Sequence, residues 1–469
     1  MKRKQFQFII AVLCAAVFIF AGCKSSYEKE SGWHLLPEIL SEINPPTFPD
    51  KKYVITEYGA VGDGQSDCTE AIKSAIAACH DNGGGSVVIP RGIWLTGAIH
   101  LKSNVNLHVQ KDGVLLFSRD LKQYLPLVHT RFEGVECMNY SPFIYAYGQE
   151  NVAITGAGVL DGQADDTLWW PWAGKRKYGW SEDIPDQKRD RDALFEMAEK
   201  NVPVEERIYG NGHFIRVNFI QFYKCKNVLV DSITIKRSPM WEIHPVLCEN
   251  VIVQNVVVIS HGPNNDGCNP ESCRNVLIKN CYFDTGDDCI AIKSGRNEDG
   301  RRVNVPSENI VIQGCRMKDG HGGVVIGSEI SGDVRNVYAE DCVMNSPNLE
   351  RALRIKTNSR RGGVVENIFM RNVEVGEVSD AVVRINFNYG EGDVGKHAPV
   401  VRNIVVQNVT SQKSAYALRF EGYKRSPIRN VRIKDCSFQG VAKGNRIKHV
   451  VGLEMNNVTI NDKLQHSKK

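Results

Sequence analysis

The sequence predicts an all-β fold, a single-stranded right-handed parallel β-helix with a short N-terminal capping helix. One unit recurs through most of the 469 residues: an asparagine, an alternating run of Val or Ile, and a polar turn. Successive units begin roughly 20 to 35 residues apart, the spacing of solenoid coils that bury their apolar side only against neighbouring coils. The units begin at Asn227, Asn250, Asn275, Asn309, Asn336, Asn367, Asn403, Asn430 and Asn457.

The residue types in these units favour strands over the other solenoid structures. Apolar residues occupy every second position, as in strands, and the longer spacing that an α-solenoid needs is absent. The LxxLxL signature of leucine-rich repeats is also absent, and β-branched residues dominate. The repeats therefore indicate stacked parallel strands with asparagines near the turns.

A single helix is predicted ahead of the coils. The stretch SDCTEAIKSAIAACH, from Ser66 to His80, has apolar residues at helical spacing and a start like a capping box at Ser66 or Thr69. Three glycines follow it, from Gly83 to Gly85. Such a helix would cover the open end of the solenoid, because terminal coils need a polar cap against edge-to-edge association.

Composition limits the classes of function. The formal net charge of +4 is small for this length, so no general affinity for nucleic acid or membrane surfaces follows, and attraction for an acidic substrate must be local. The 14 cysteines are spread through the chain without a CxxC pair, which argues against zinc or redox sites. Most are expected to be small buried residues of the coils.

The first residues predict an exported lipoprotein. Residues 1–22 combine a basic start, an apolar run and small residues, as in a cleaved export signal, and the run FAGC ending at Cys23 resembles a lipoprotein box. Cys23 is then the lipidated N-terminus, residues 23–48 form a linker, and residues 49–462 form the β-helix domain. The expected location is the cell envelope, on its periplasmic or outer face, with the lipid anchor in the membrane.

Three carboxylates are predicted to lie on neighbouring coils. Asp266 lies in GPNNDGCNPES, and Asp287 and Asp288 lie about one coil later in FDTGDDCIAIKSG. Strands stack about 4.8 Å apart, so these acids can reach the separation of about 6.5 to 9.5 Å that inverting glycosidases use. Crowding raises the pKa of at least one acid, which supplies a proton donor. Adjacent aspartates are more often solvated turn residues or calcium ligands, but the apolar CIAI that follows places this pair beside a strand.

Basic residues follow on the next coils. His321 lies between glycines in KDGHGGVVIGSE, and glycines allow a substrate to approach closely. Arg354 and Lys356 lie two apart in RALRIKTNSRRGG and so point the same way from a strand. Their cationic groups are expected to converge on one anion, as binding of a sugar carboxylate requires. A surface salt bridge is the alternative interpretation.

These motifs together resemble the polygalacturonases, glycoside hydrolase family 28, whose signatures are Asn-Thr-Asp, Asp-Asp, Gly-His-Gly and Arg-Ile-Lys. The resemblance extends over nearly all of the chain after the export signal, and the segments around the predicted helix resemble the N-terminal cap of pectin-degrading β-helix enzymes. Asn265 departs from the pattern where threonine is common, and Asn269 departs where endo-acting members often have aspartate. The motifs stand here as Asn264-Asn265-Asp266, Asp287-Asp288, Gly320-His321-Gly322 and Arg354-Ile355-Lys356.

The resemblance implies a role for each catalytic residue. Asp287 would be the general acid, Asp266 and Asp288 would activate the attacking water, and His321 would tune the acid. The reaction would be hydrolysis of α-galacturonosyl linkages in pectic polysaccharides or oligosaccharides, with inversion. No metal or organic cofactor is implied.

Five residues are predicted to bind the substrate. The resemblance assigns the galacturonate carboxylate to Arg354 and Lys356, and Asn264 belongs to the first motif. His244 in PMWEIHP and Arg302 in SGRNEDGRRVN lie on connections near the catalytic coils, where an arginine suits an acidic chain.

The mode of cleavage is predicted from an insert. Residues Asp166 to Trp180, DTLWWPWAGKRKYGW, resemble a loop that closes one end of the cleft in exo-acting members, so an exo-acting polygalacturonase is expected. Alternatively, these tryptophans pack on the solenoid flank. A rhamnogalacturonan hydrolase is the alternative within hydrolases. A polysaccharide lyase and a non-catalytic glycan-binding β-helix are the alternatives from other classes.

Overall fold

The computed structural model of the protein describes residues 32–466 and confirms the right-handed parallel β-helix. Each coil contributes short strands to parallel stacks, in which apolar side chains of successive coils lie above one another. Val228, Val251, Val276 and Ile310 are register partners in four successive coils, and all four are buried. The alternating apolar positions of the sequence are therefore columns of one continuous core.

The strands form three stacks, and in the last coils the first and second stacks join into one long strand per coil. The first stack contains Lys52–Val54, Gly85–Ile89, Val105–Val109, Glu150–Gly156, Lys226–Asp231, Glu249–Gln254, Arg274–Lys279, Ser307–Gln313, Val334–Glu340, Val364–Glu377, Val400–Lys413, Ile428–Phe438 and Val450–Ile460. The second stack contains Asp63–Asp67, Gly92–Thr96, Gly113–Phe117, Val159–Asp161, Thr234–Lys236, Val257–Ser260, Tyr282–Thr285, Arg316–Met317 and Val343–Met344. The third stack contains Ile99–His100, Ile144–Tyr147, Ile220–Tyr223, Ile243–Val246, Ile290–Ile292, Val324–Ile326, Arg351–Lys356, Ala381–Asn386, Tyr416–Glu421 and Arg446–Lys448. Two further strands form an antiparallel hairpin, Val128–Phe132 with Val135–Asn139, and Lys463–Gln465 pairs antiparallel with the last long strand.

Asparagine side chains form a ladder along the first stack. Asn227 and Asn250 have φ of 55° and 58°, the left-handed conformation that asparagine tolerates well. The side-chain amide of Asn250 donates to Oδ1 of Asn227 at 2.7 Å, and that of Asn227 donates to Oδ1 of Asn151 at 2.9 Å. The same contact recurs in later coils. The repeated asparagine therefore serves both the turn conformation and a hydrogen bond between coils.

The cysteines are core residues, as predicted. Every cysteine between residues 32 and 466 is buried and outside any disulfide. The thiol of Cys248, for example, donates to the carbonyl of Phe222 in the preceding coil at 3.2 Å. Burial raises the pKa of the Cys248 thiol, which makes it unreactive.

The predicted capping helix is present as α2, which spans Thr69–Asp81. It begins at Thr69 after the N-cap residue Cys68, whose side chain makes no capping hydrogen bond. Oδ1 of Asp67 accepts from the Thr69 backbone N–H at 2.9 Å, so neither Ser66 nor Thr69 supplies the predicted cap. Its buried residues Ile72 and Ile76 pack on the first coils. The helices within residues 32–466 are α1 (Leu36–Ser41), α2 (Thr69–Asp81), α3 (Lys188–Glu199) and α4 (Asn297–Val303), with 3-10 turns at Trp33–Leu35, Ile55–Tyr58, Leu121–Tyr124, Pro171–Ala173, Arg176–Tyr178 and Val204–Glu206.

Residues 32–48 belong to the folded unit, in contrast to the linker predicted for residues 23–48. The arm packs on outward-facing residues of the first stack, and the Trp33 ring lies 3.9 Å from the guanidinium of Arg371. The prediction was wrong for this part because the arm carries an apolar stripe that gains free energy by burial. The buried residues of the stripe are Trp33, Leu36, Ile39 and Ile43.

The predicted export signal and Cys23 lie outside the described residues. Between residues 32 and 466, none of the helices has the length and apolar character needed to span a membrane.

Candidate active site

The three predicted aspartates lie together at the third stack. Asp266 lies one coil before Asp287 and Asp288, which precede the strand Ile290–Ile292. The backbone N–H of Gly267 donates to the Asp288 carbonyl at 3.0 Å, which holds the two coils in register. One oxygen of each carboxylate lies within 4.8 Å of an oxygen of both others. The coil spacing thus brings the three acids to one place.

The nearest oxygens of the three acids lie closer together than the separation predicted for the catalytic pair. The limit of 4.8 Å between these oxygens is shorter than the roughly 6.5 to 9.5 Å expected for an inverting pair. The acids are close because two of them are adjacent in one turn and only a single coil rise of about 4.8 Å separates them from the third. The prediction of inversion therefore depends on the family resemblance and not on this distance.

Asp288 is buried and accepts hydrogen bonds from two cations. Nζ of Lys356 lies 2.6 Å from Oδ2, and a terminal nitrogen of Arg354 lies 3.2 Å from Oδ1. Both cations point from the strand Arg351–Lys356, two coils further along the third stack. The two cations converge on one anion, which in this structure is Asp288. The ring of Tyr389 lies 5.4 Å from Arg354 and 5.2 Å from Lys356.

His321 contacts Asp287 from the next coil. Its Nδ1 lies 2.9 Å from Oδ1 of Asp287. Burial disfavours the charged carboxylate, but the hydrogen bond from His321 and the charges of His321, Lys356 and Arg354 outweigh it, so the pKa of Asp287 lies below its usual range. The same hydrogen bond raises the pKa of His321. The two groups therefore hold one proton between them.

Asp266 is the acid whose pKa is raised. Burial and the charges of Asp287 and Asp288 raise it well above the ordinary range, and the charge of Lys293 opposes this rise. Nζ of Lys293 lies 3.7 Å from Oδ2 of Asp266, and the side-chain amide of Asn269 donates to that oxygen at 3.0 Å. An ionised aspartate at position 269, the residue common in endo-acting members, could not donate this hydrogen bond. Asn269 therefore gives Asp266 a hydrogen bond that the family pattern would lack.

Asn265, the other departure from the family pattern, is a structural residue. Its Oδ1 accepts from the Ser260 hydroxyl at 2.6 Å and from the Gly262 backbone at 2.7 Å. Its amide donates to the carbonyls of Ser238 and Met240 at 3.1 and 2.9 Å. All of these contacts are buried, so Asn265 fixes the loop that carries Asp266.

Gly320 allows the His321 loop to approach the acids. Its φ is 151°, and a Cβ added there would lie 2.5 Å from the carbonyl oxygen of Asp287. Such a contact is too short for any real side chain, so a larger residue would push the loop away from the aspartates.

A cavity of about 1000 Å³ opens onto the acids. Asp266, Asp287, Asn264, Lys356 and Tyr389 line it. It has a mixture of cationic, anionic and aromatic side chains, as expected of a site for a charged sugar.

Helices α3 and α4 form a wall at one part of this cavity. Phe195 and Glu199 of α3 and Asn297 of α4 line it. The amide of Asn297 donates to Glu199 at 2.7 Å, and the guanidinium of Arg296 lies 4.0 Å from the Phe195 ring. The strand hairpin joins the wall, since Asp299 accepts from the backbone of the hairpin at 2.8 Å.

Between residues 32 and 466, two groups of side chains have a geometry that could hold a metal ion, but lysine and arginine side chains already contact both groups. The three aspartates form one group, and Lys356, Arg354 and Lys293 already lie within 4 Å of their oxygens. The other group is His261, Asp284 and Asp319, in which Nζ of Lys318 lies 3.0 Å from Asp284. The ligand atoms of both groups therefore suit the ammonium and guanidinium groups that contact them.

His244 does not line the cavity, contrary to the prediction of substrate binding. The side chain is fully buried, its Nε2 lies 2.8 Å from Glu271, and its Nδ1 accepts from Asn218 and Gln221 at 2.9 and 3.0 Å. Burial lowers its pKa, so it is a neutral core residue. It supports the site indirectly, because it packs edge-on against Trp241, which lines the cavity.

Arg302 also lies elsewhere. It lines a different cavity of about 600 Å³, where its guanidinium pairs with Glu136 and lies 3.0 Å from Asp299. It was predicted to bind substrate, but within the described residues it does not line the cavity that opens onto the acids, because Glu136 and Asp299 hold its guanidinium elsewhere.

The tryptophans of the insert are structural. Trp169 and Trp172 are buried in the core, and the indole of Trp170 donates to the Ser238 carbonyl at 2.8 Å. The segment that follows, α3, supplies the wall instead. The alternative interpretation, packing on the solenoid, therefore holds for Trp169, Trp170 and Trp172.

Lys293 lines the cavity and was not found from the sequence. Lys293 lies between Asp266 and Glu329, 3.2 Å from the latter, and 4.5 Å above the Trp241 ring. Its only signal is its position five residues after Asp288 at the end of the same strand, where a charged side chain is unexpected unless paired.

The fold and the acid cluster define a carbohydrate-cleaving enzyme, a glycoside hydrolase. The chain belongs to a family described as "Glycosyl hydrolases family 28", whose model matches residues 209–459.

Similar proteins agree with this family. A hyperthermoactive exopolygalacturonase from Thermotoga maritima has a structure with a TM-score of 0.90 and 49% sequence identity, over 92% of this chain and 97% of that chain. A probable polygalacturonase of Vitis vinifera is 29% identical over 84% of this chain and 75% of its own length. An exo-poly-alpha-D-galacturonosidase of Dickeya chrysanthemi is 25% identical over 79% of this chain and 64% of its own length.

Proposed function

We propose that this protein is an exo-acting polygalacturonase that hydrolyses α-galacturonosyl linkages from a chain end. The observation that carries the proposal is the cavity that opens onto Asp266 and Asp287 and is walled by α3 and α4. We infer that this wall closes one end of the cavity, so that it accepts a chain end and not an uninterrupted chain. The likeness to the exopolygalacturonase of Thermotoga maritima supports the same mode.

Proton donation to the leaving sugar is the role we assign to Asp287. The glycosidic oxygen takes a proton from Asp287 as the bond to the anomeric carbon breaks, and His321 supplies a proton to Asp287 through their contact of 2.9 Å. This order reconciles the low pKa of Asp287 with an acid role, because the shared proton belongs to the pair.

Asp288 and Asp266 hold and activate the attacking water. The water oxygen attacks the anomeric carbon, and its proton passes to the carboxylate of Asp288, which Lys356 and Arg354 keep in place. Asp266 lies within 4.8 Å of both other acids and positions the same water. We propose inversion at the anomeric carbon, as the family resemblance implies, and proton NMR of the first anomer released tests it.

We propose that two cations that line the cavity bind carboxylates of the substrate, although one of them, Lys356, is also paired with Asp288. Lys356 lines the cavity beside Tyr389. Arg360 lines it too, and within residues 32–466 no acceptor contacts its guanidinium. A galacturonate carboxylate would satisfy such a group.

Digestion of two pectic backbones tests the proposed function. Polygalacturonate should yield a single small product from the first minutes, with a slow fall in viscosity, and rhamnogalacturonan should yield none. A mixture of sizes with a rapid fall in viscosity would contradict exo action. An ultraviolet-absorbing unsaturated product would indicate a lyase, and no release from polygalacturonate would contradict the proposal altogether.

Gly320→Ala should lower kcat/KM on polygalacturonate by about 100-fold, because the added Cβ displaces His321 and Asp287 from each other. Gly444→Ala is the control: its φ of 70° is also positive, but open space surrounds the added Cβ. Equal losses in the two variants would show that backbone strain, and not the position of His321, explains the effect.

The pH profile should report the proton shared by His321 and Asp287. Because the pKa of His321 is raised, kcat/KM should fall only as pH rises above its usual value of about 6.5. In His321→Gln the proton remains on Asp287 alone, so the alkaline limb should move to lower pH by about one unit or more. A limb that stays in place would exclude His321 as the second member of the pair.

We also propose that the protein is anchored in the cell envelope by a lipid on Cys23, on the strength of its sequence alone. Cys23→Ala should move the protein from the membrane fraction to the soluble fraction and abolish labelling with a radioactive fatty acid. Retention of the variant in the membrane fraction would exclude the anchor.

A further inference from the structure

Arg216 is a buried cation without a buried anion. Its side chain is fully buried, and within residues 32–466 no carboxylate lies within 4.0 Å of its guanidinium. Burial lowers the pKa of Arg216 to about 10, so the group stays charged at neutral pH. A buried unpaired charge is costly unless hydrogen bonds compensate it, which indicates a specific use.

The guanidinium of Arg216 joins three segments at the cavity. It donates to Gln187 at 3.0 Å, directly before α3, and to the carbonyls of Pro239 and Pro263 at 3.1 and 2.6 Å. Its last contact is with Oδ1 of Asn264 at 2.7 Å. The wall and the loop that leads to the catalytic acids are thus held by one side chain.

The contact with Arg216 fixes the orientation of the Asn264 side chain. Arginine has donors only, so the oxygen of Asn264 must face Arg216 and the amide nitrogen must face away. Asn264 lines the cavity, and in the described part of the chain no acceptor takes its amide N–H groups. The charge of Arg216 also polarises this amide, which strengthens its donation to an anionic oxygen.

We propose that Arg216 is a positioning residue, which orients and polarises Asn264 so that its amide donates to a uronate oxygen of the substrate. This inference depends on the proposed function, since it requires a galacturonate-containing substrate in the cavity. Arg216 also links the wall formed by α3 and α4 to substrate binding, because its guanidinium contacts both Gln187, directly before α3, and Asn264.

A double-mutant cycle on polygalacturonate tests the inference. Asn264→Asp keeps an oxygen for Arg216 but loses both donors, so KM should rise about tenfold or more while the melting temperature stays or rises. Arg216→Lys should also raise KM, because a lysine cannot hold all four acceptors. In the double variant the loss should equal that of Asn264→Asp alone, since both changes remove the same donor.

The outcomes separate this inference from others. An unchanged KM in Asn264→Asp overturns it, whether or not Arg216→Lys folds. Additive losses in the double variant show that Arg216 is only structural and also overturn it. Arg402→Lys, at an exposed pair with Glu366, is the control for the arginine change and should leave both constants unchanged. An inactive wild-type protein would contradict the proposed function instead, so the two failures are distinct.

Discussion

Asp287→Asn should lower kcat on polygalacturonate by about 1,000-fold or more, with little change in KM. The amide cannot donate a proton to the leaving oxygen, and general acid catalysis is worth roughly 100- to 10,000-fold. The contact of 2.9 Å with His321 no longer carries a shared proton, so the pH profile of any residual activity should lose its alkaline limb. Initial rates of reducing-end release across a pH series measure both effects.

Asp393→Asn is the matched control for this change. Asp393 is an exposed carboxylate whose partner is Arg425, outside the cavity lining. It should retain wild-type kinetics. If Asp287→Asn keeps more than about a tenth of the wild-type rate, Asp287 is not the acid, and Asp266, whose pKa is raised, becomes the candidate.

Lys293→Met should unfold more easily and lose nearly all activity. Nζ of Lys293 lies 3.2 Å from Glu329 and 3.7 Å from Asp266, and all three side chains are buried. Breaking a buried ion pair by removing one partner costs about 3 to 5 kcal/mol of the free energy of unfolding. Asp266 would also lose the cation that opposes the rise of its pKa. Without that cation the pKa of Asp266 rises further, so the carboxyl group stays protonated and is less able to position water.

The loss of stability in Lys293→Met should depend on pH. Burial raises the pKa of Glu329, but Lys293 and three other cations outweigh it, so its folded-state pKa is depressed. Its stabilisation is present above the pKa of the unfolded state and disappears as pH falls. The difference between variant and wild type in urea unfolding should therefore be full at pH 7 and narrow below about pH 4.5.

Lys318→Met is the control for Lys293→Met. Lys318 pairs with Asp284 at 3.0 Å, but its side chain is half exposed. Its loss should leave the melting temperature nearly unchanged. An equal loss of stability in the two variants would contradict the view that burial decides the effect.

Local patterns were sufficient to predict most of the fold. The recurring asparagine and the alternation of Val and Ile reflect contacts that repeat from coil to coil. Residues such as Asn227, Asn250 and Asn309 could therefore be placed near the turns from the repeat alone. The same periodicity brings Asp266 and Asp287 together, because a coil of known length returns the chain to the same place.

Residues whose roles depend on one particular partner could not be predicted in this way. Arg216 depends on Gln187, which lies in an insertion, and the buried charge of Lys293 is explained only by Glu329 on the next coil. The prediction for His244 was wrong for a related reason, since nothing in PMWEIHP indicates that its ring points into the core. The apolar stripe of residues 32–48 went unrecognised because it forms only half of an interface.

The asparagine ladder has a consequence for how this scaffold diversifies. Asn227 hydrogen bonds to Asn151 at a sequence separation of 76, while Asn250 makes the same bond to Asn227 at a separation of 23. Each of these bonds therefore aligns one coil on the coil before it, whatever length of chain lies between the two asparagines. Evolution can lengthen, shorten or exchange the segments that enclose the cavity without shifting the acids beneath them, so new substrate preferences require no redesign of the catalytic platform.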